Sequence, residues 1–430
     1  QASPATKLTS TASAGILPGS RLPAAGNQFN EIPDTTDASP LNENVIWADA
    51  GIPYVTTLNQ TSHGQLTILP NVTVKIGPNA SFFFDTDSHG LSYPQFLGEP
   101  GRPIRFIPYT PGTRWTSIAV GNTRWLGVRW QWCEFEGSLY GAGAASLPIA
   151  FDHCIFRDNI RGAGGSSSVS LRSCRFENNV FSYSGERFAP NHIVEGFLDA
   201  NHPSNPNSFI NNRGTPPASG EFFGTFLASG GLLASVRHNS LQDSDSDVRN
   251  NWWGTPTGPR HPTFNPGGTG DDVYFGPDAG GLLLPFLPEP PVDNPSPVVR
   301  FVSRPTALVP GSKIHCTWTA RDDGSIVAQR VYLSQLTNID DQMQLVAEIP
   351  ADARSFEWTV PAIGSPAHGS NQYFRVIAVD ELGREGIADL PFFITNPSPF
   401  TGAMIPNPAI TGERRPGERV DVCASVSGLV

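Results

Sequence analysis

Three eight-residue segments share one pattern: VRWQWCEF from Val128, IAFDHCIF from Ile149 and VSLRSCRF from Val169. Their cysteines fall at 133, 154 and 174, 21 and 20 residues apart. A period of this length marks stacked repeats. Aligned on the cysteine, Val128, Ile149 and Val169 share one column, Trp130, Phe151 and Leu171 a second, and Phe135, Phe156 and Phe176 a third. The positions between are mostly polar or charged, as strands with one buried face require. A helix does not give this spacing. The period of two slips by one residue between Trp130 and Cys133, which reads as a bend joining two short strands.

One repeat is therefore one coil of a solenoid, and a right-handed parallel β-helix is the architecture that fits. Each coil adds about 4.8 Å of axial length, one strand spacing, so like side chains stack over like. The register returns more faintly as Asn207 with Phe209, and again as Ala234, Val236, Asn239 and Leu241. The longer gaps there read as loops thrown out between coils, which often mark a binding face. Cys133, Cys154 and Cys174 are expected to form a ladder of buried thiols beside the phenylalanine stack. Glu136, Arg157 and Glu177 would stack acid, base, acid, the alternation a solvated surface needs. Asp158, Asn159, Asn178, Asn179, Asn211, Asn212 and Asp243 fall where the chain must turn. Side chains of this type satisfy backbone groups in turns and stack as ladders.

The stretch LTILPNVTVKIGPNASFFF, Leu66 to Phe84, carries Asn71 where a turn glycine is usual, a change that a left-handed conformation tolerates. It resembles the opening coil of secreted bacterial parallel β-helix proteins with a pectate-lyase-like fold. Trp47 with Pro53, Tyr54 and Val55 resembles the preceding strand, and NNWWGT, Asn250 to Thr255, the motif closing such helices. The resemblance covers residues 45–285 and names a fold rather than a function. Enzymes on this scaffold hold Ca²⁺ with acidic residues on one sheet face, and a basic residue takes a proton from the sugar. The positions that could serve are Asp152 and Arg172, equivalent on adjacent coils, with Arg157 nearby in sequence. One carboxylate among several arginines is a thin calcium site. The regular coils also lack the two or three carboxylates of a glycoside hydrolase.

With 43 Gly, 41 Pro and only 16% charged residues among 430, the chain is turn-rich, all-β and long enough for more than one domain. Residues 1–44, rich in Ser, Thr, Ala and Pro, are expected to be an extended leader; strand addition to a neighbouring subunit is the alternative. The β-helix spans 45–285 and a proline-rich linker 286–297. Residues 298–396 read as seven strands of a sandwich, with Ile314, Cys316 and Trp318 on one inward face and Phe356, Trp358 and Val360 on another. WTARDD and FRVIAVDELGREG resemble immunoglobulin-like or fibronectin-type-III-like modules of secreted bacterial proteins, without the paired cysteines of an antibody domain. Residues 397–430 look like the start of a further β module or a C-terminal extension.

The net charge of −11, with no basic stripe, argues against nucleic acid as a partner. No apolar run reaches membrane-spanning length, and an extracellular, secreted or cell-surface location is the expectation. Trp132, directly before a column cysteine, is expected to point outward and, with Tyr140 and Tyr183, to offer rings for sugar stacking. In DSDSD, Asp243, Asp245 and Asp247 alternate, a candidate Ca²⁺ loop or a solvated turn, without the glycine and glutamate of an EF-hand. Asp271–Asp272 and Asp322–Asp323 are weaker acidic pairs, and structural-zinc spacing is absent. Sequons at Asn59, Asn71 and Asn79 carry little weight. Two functions stay open. One is a non-enzymatic structural or adhesive protein, with polysaccharide, other cell-surface proteins or further copies of itself as partners. The other is a polysaccharide lyase or glycoside hydrolase.

Overall fold

The computed structural model describes residues 32–33, 45–62, 66–86, 94–122, 128–144, 149–165, 169–185, 198–212, 231–234, 246–275, 281–292, 295–302, 311–334, 343–360 and 370–394. They form a parallel β-helix followed by an immunoglobulin-like sandwich of antiparallel sheets. Among them, no helix is long and apolar enough to cross a membrane.

Each coil of the β-helix contributes to three parallel sheets. The first, nine-stranded, includes Val128–Gln131, Ile149–Asp152 and Val169–Arg172; the second, eight-stranded, includes Cys133–Glu136, Ile155–Arg157 and Arg175–Glu177. The third, also eight-stranded, includes Ala142–Ala144, Arg161–Gly165 and Phe181–Gly185. Register follows the sequence repeat, pairing Val128 with Ile149 and Ile149 with Val169. Ile32–Pro33, within the leader, pairs in parallel with Tyr54–Val55 of the first coil.

The one-residue slip is a left-handed residue. Trp132, His153 and Ser173 have φ of 50°, 53° and 49°, and each sits between a first-sheet and a second-sheet strand. One such residue turns the chain without a loop, at a cost of about 1–2 kcal/mol for an L side chain. The next bend uses Asp158, Asn178 and Asn211, with φ of 56°, 55° and 57°, residue types that take this conformation readily. Asn71, at φ 70°, is left-handed as well.

The interior is a set of columns. Phe106, Phe135, Phe156, Phe176 and Phe209 stack at successive centroid spacings of 5.3, 4.9, 4.6 and 5.1 Å. Cys133, Cys154 and Cys174 are fully buried free thiols. Burial pushes the Cys154 and Cys174 thiols well above their ordinary value, as expected of inert packing cysteines. The asparagine ladder is internal: Asn179 Nδ2 donates to Phe156 O at 2.9 Å and to Asn212 Oδ1 at 2.8 Å, while Asn179 Oδ1 accepts from Asn159 at 2.9 Å. Asp271 ends it by accepting from Asn212 at 2.6 Å, which parts it from Asp272, paired with Arg260.

One repeat assignment is corrected. Ala234 lies in the third sheet opposite Phe275, not in the Val128 column, and Val236, Asn239 and Leu241 lie outside the described residues. The coil after Asn207 is formed by NNWWGT itself. Asn251 Oδ1 accepts from Asn207 at 3.0 Å, and Trp253 stacks on Phe209 at 4.5 Å. An asparagine in the cysteine column and a tryptophan in the phenylalanine column hid this repeat.

In the sandwich, Val298–Phe301, Lys313–Arg321 and Ser355–Thr359 form one sheet; Gln344–Ile349, Ile326–Ser334, Ser370–Asp380 and Glu385–Ile394 form the other. Ile314, Cys316, Trp318 and Val360 are buried between them, whereas Phe356 and Trp358 are half-buried at its margin. Trp318 Nε1 donates to Gln329 Oε1 at 2.9 Å, and Gln329 Nε2 donates to the carbonyls of Pro350, Ala351 and Ala353. This satisfies the core's largest polar side chains.

Candidate functional site

The outward side chains of the first sheet, among them Arg129, Gln131, Asp152 and Arg172, face the sandwich. In a strand, alternate residues leave the core, so the repeat that buries Val128 and Trp130 directs Arg129 and Gln131 outward on the same coil. On the next coils the outward register places Asp152 opposite Arg172.

The sandwich lies against this face. Arg129 Nη1 donates to Asp152 Oδ2 at 2.7 Å and its Nε to Asp389 Oδ2, also at 2.7 Å; Arg375 Nε donates to Asp389 Oδ1 at 2.6 Å. All four side chains are under 10% exposed. Burial pushes the Asp389 carboxyl up, but the Arg129 and Arg375 guanidiniums outweigh it and hold the group below its ordinary value. Arg172 Nη1 donates to Glu385 at 3.1 Å. Gln131 Nε2 donates to Ile387 O at 2.6 Å and its Oε1 accepts from Arg300, whose Nη2 reaches Gly98 O at 2.5 Å. Burial lowers the Arg300 pKa to about 10, against a smaller opposing pull from Glu99. Arg321 pairs with Glu99.

The linker closes one side of this face. Asn205 Nδ2 donates to Ser296 Oγ at 2.8 Å, and Asn205 Oδ1 accepts from Glu385 N at 3.1 Å. His153 Nε2 lies 3.1 Å from the same hydroxyl. Burial, followed by the nearby Arg384 charge, lowers the His153 pKa to about 3, so the imidazole is neutral. Gly386 runs so close to the linker that a Cβ there would be 1.7 Å from Pro297 O.

The residues singled out by sequence are thus dispersed. Asp152 and Arg172 are in register, but both are ion-paired beneath the sandwich, where a sugar chain would have to displace a domain to reach them. Arg157 is on the second sheet, held by Glu136 at 2.9 Å and Glu134 at 3.2 Å. With Arg105 on Glu134 at 3.1 Å and Arg175 on Glu177 it makes a lattice of alternating surface charge. Trp132 is half-buried, not pointing freely outward. Its left-handed φ lays the ring on His153, 4.1 Å away and 16° from parallel. Tyr140 is half-buried under Arg161, whose guanidinium is 5.2 Å from its ring centroid. Burial brings the Arg161 pKa down to about 10. Tyr183 lies in a third-sheet strand, its side chain outside the described residues.

Asp247 is taken up by Arg249, at 2.6 Å, and by Asn201, at 2.9 Å; Asp243 and Asp245 lie outside the described residues. Among the described residues, no group of three or more His, Cys, Asp or Glu side chains is placed to hold a metal ion. Sequence reasoning missed Arg129, Asp389, Arg375 and Glu385. Arg129 was visible as a polar residue at an outward position, but nothing local marks a partner so distant in the chain.

No protein-family model matches the chain, and no curated protein matches it. Among solved structures, the fibronectin(III)-like modules of Clostridium thermocellum CbhA are similar at 18% identity and a TM-score of 0.19, over 27% of this chain and 53% of that one. The match therefore spans about half of that chain, and at this score it carries no argument about function.

Proposed function

We propose that this chain is an extracellular structural or adhesive protein in which a rigid β-helix and its sandwich act as one body at a cell surface or within an assembly. The observation that carries this reading is the Arg129–Asp389–Arg375 network, which joins the two domains through buried, paired charges. Burial of such pairs fixes one relative geometry, because the displaced arrangement leaves charges without partners. A spacer that transmits force needs that rigidity. Kinship with secreted bacterial pectate-lyase-like proteins belongs to this reading, and so does carbohydrate as a ligand for exposed faces of the solenoid.

The test is incubation of the full chain with acidic and neutral polysaccharides, with and without Ca²⁺, followed by mass spectrometry of products and by binding assays on the same panel. The expected result is unchanged polysaccharide, with or without binding. Unsaturated or shortened oligosaccharides would overturn the proposal in favour of a lyase or hydrolase.

A further inference from the structure

Between Trp253 in the phenylalanine column and Val273 in the third sheet, the chain leaves the solenoid as one long loop, Gly254 to Asp272. Insertions of this kind often form the binding face of a repeat protein. This one is stapled to its base. Arg260 N donates to Asp271 O at 3.0 Å and Gly270 N to Gly258 O at 2.8 Å, while the Arg260 guanidinium grips the Asp272 carboxylate at 2.5 and 2.7 Å. A Cβ on Gly268 would be 2.0 Å from Pro259 O, so the two limbs of the loop run in direct backbone contact.

The tip, His261 to Asn265, is a tight hairpin. His261 N donates to Asn265 O at 3.2 Å and Asn265 N to His261 O at 3.1 Å, and His261 Nδ1 accepts from the backbone N–H groups of Thr263 and Phe264, both at 3.1 Å. Asn265 Nδ2 ties the tip to the base through Thr257 O at 2.8 Å and Pro259 O at 2.7 Å. At the head of this hairpin Phe264 is 50% exposed, its ring 4.7 Å from that of His261 and inclined 37° to it. Beside the hairpin the hydroxyls of Thr255, Thr257 and Thr269 lie in hydrogen-bonding reach of one another, at 2.9, 2.7 and 3.2 Å, and Thr257 and Thr269 are exposed.

We infer that this loop is a saccharide-binding site, in which the Phe264 ring stacks on the apolar C–H face of a neutral pyranose and the threonine hydroxyls meet the sugar's hydroxyl edge. A single exposed apolar residue on a loose loop is ordinary. Here the hairpin bonds hold the backbone, so the ring stays in water and a ligand need not order it. One aromatic ring among hydroxyls is too little for a protein partner, which takes about 800 Å² a side, but it matches one sugar ring. The charges of the loop are already answered: Arg260 by Asp272, and Asp271 by Asn212. A neutral sugar therefore fits better than an acidic one. The inference rests on carbohydrate as a ligand of the solenoid and supplies its place and class.

The experiment is saturation-transfer NMR titration of the full chain with cellohexaose, xylohexaose, mannohexaose and chitohexaose. Expected is binding of at least one of them with a Kd of about 10⁻³ M, the weak affinity of one partly buried aromatic ring, with saturation concentrated on the protons of one pyranose face. Phe264→Ala should weaken that binding by about ten-fold or more, because the lost ring no longer leaves water on binding. Phe264→Trp should keep or tighten it. Both variants should unfold at the parent midpoint, since the side chain stands outside the core. No binding of any of these sugars, or binding unchanged in Phe264→Ala, would overturn the site. Failure of the structural reading is a separate result, shortened oligosaccharides, and does not depend on Phe264.

Discussion

Arg129 Nε and Asp389 Oδ2 are 2.7 Å apart, though 260 residues separate them in sequence. Arg129 also holds Asp152 on its own sheet, and Asp389 also holds Arg375 on its own. Each domain thus brings an arginine–aspartate pair of zero net charge to the interface, and docking joins the two into one chain of alternating charges.

Asp389→Ala should leave Arg129 and Arg375 buried without their shared acceptor. Breaking a buried pair in this way costs about 3–5 kcal/mol. The expected outcome is separate unfolding transitions for the two domains and faster proteolytic cleavage in the 286–297 linker. A single transition at the parent midpoint would remove the network as the joint.

Acid should loosen the same joint. His153, with its pKa brought down to about 3, stays neutral in the fold while the unfolded chain takes a proton below about 6.5. Its contribution is therefore complete above about pH 6.5 and is lost as pH falls toward 3. Asp389, held below the ordinary carboxylate value, contributes stability above that range and loses it as pH falls through its folded value. Denaturation measured from pH 7 to pH 4 should show stability falling, and His153→Gln should flatten that slope.

The linker contact offers a purely steric probe. Gly386→Ala would place a methyl 1.7 Å from Pro297 O, and backbone on both sides must move. We expect faster linker cleavage, with the fluorescence of the β-helix tryptophans unchanged.

Within the solenoid, Phe156 stacks between Phe135 and Phe176 at 4.9 and 4.6 Å. Phe156→Ala should destabilise the β-helix by about 3–5 kcal/mol, the usual range for a buried aromatic, measured by chemical denaturation. Loss of under about 1 kcal/mol would mean that neighbouring coils collapse into the space.

Asn179→Asp tests the ladder, because it keeps the acceptor used by Asn159 and removes the donor to Phe156 O and Asn212. Asn212 Oδ1 keeps the Asn179 backbone N–H, but two hydrogen bonds are lost, at about 0.5–1.5 kcal/mol each, and a buried carboxylate adds its desolvation penalty, so a drop of about 2 kcal/mol or more is expected in the same assay.

The repeated Val or Ile, Trp, Phe or Leu, Cys and Phe columns determined the solenoid from sequence alone, because stacked coils impose the same inward position on every turn. The slip before Cys133 and the acid, base, acid order at Glu136, Arg157 and Glu177 were legible for the same reason, as were the seven sandwich strands through their alternation. The last coil was not, since Asn251 and Trp253 keep the volume and polarity their columns accept without keeping the residue types. Tertiary structure alone decided the fate of Asp152 and Arg172. An outward position in a strand specifies exposure to whatever lies above the sheet, and only docking determines whether that is water, a sugar or another domain. Here it is a sandwich bearing Asp389 and Glu385, and ion pairing over such separations leaves no periodic trace in the chain.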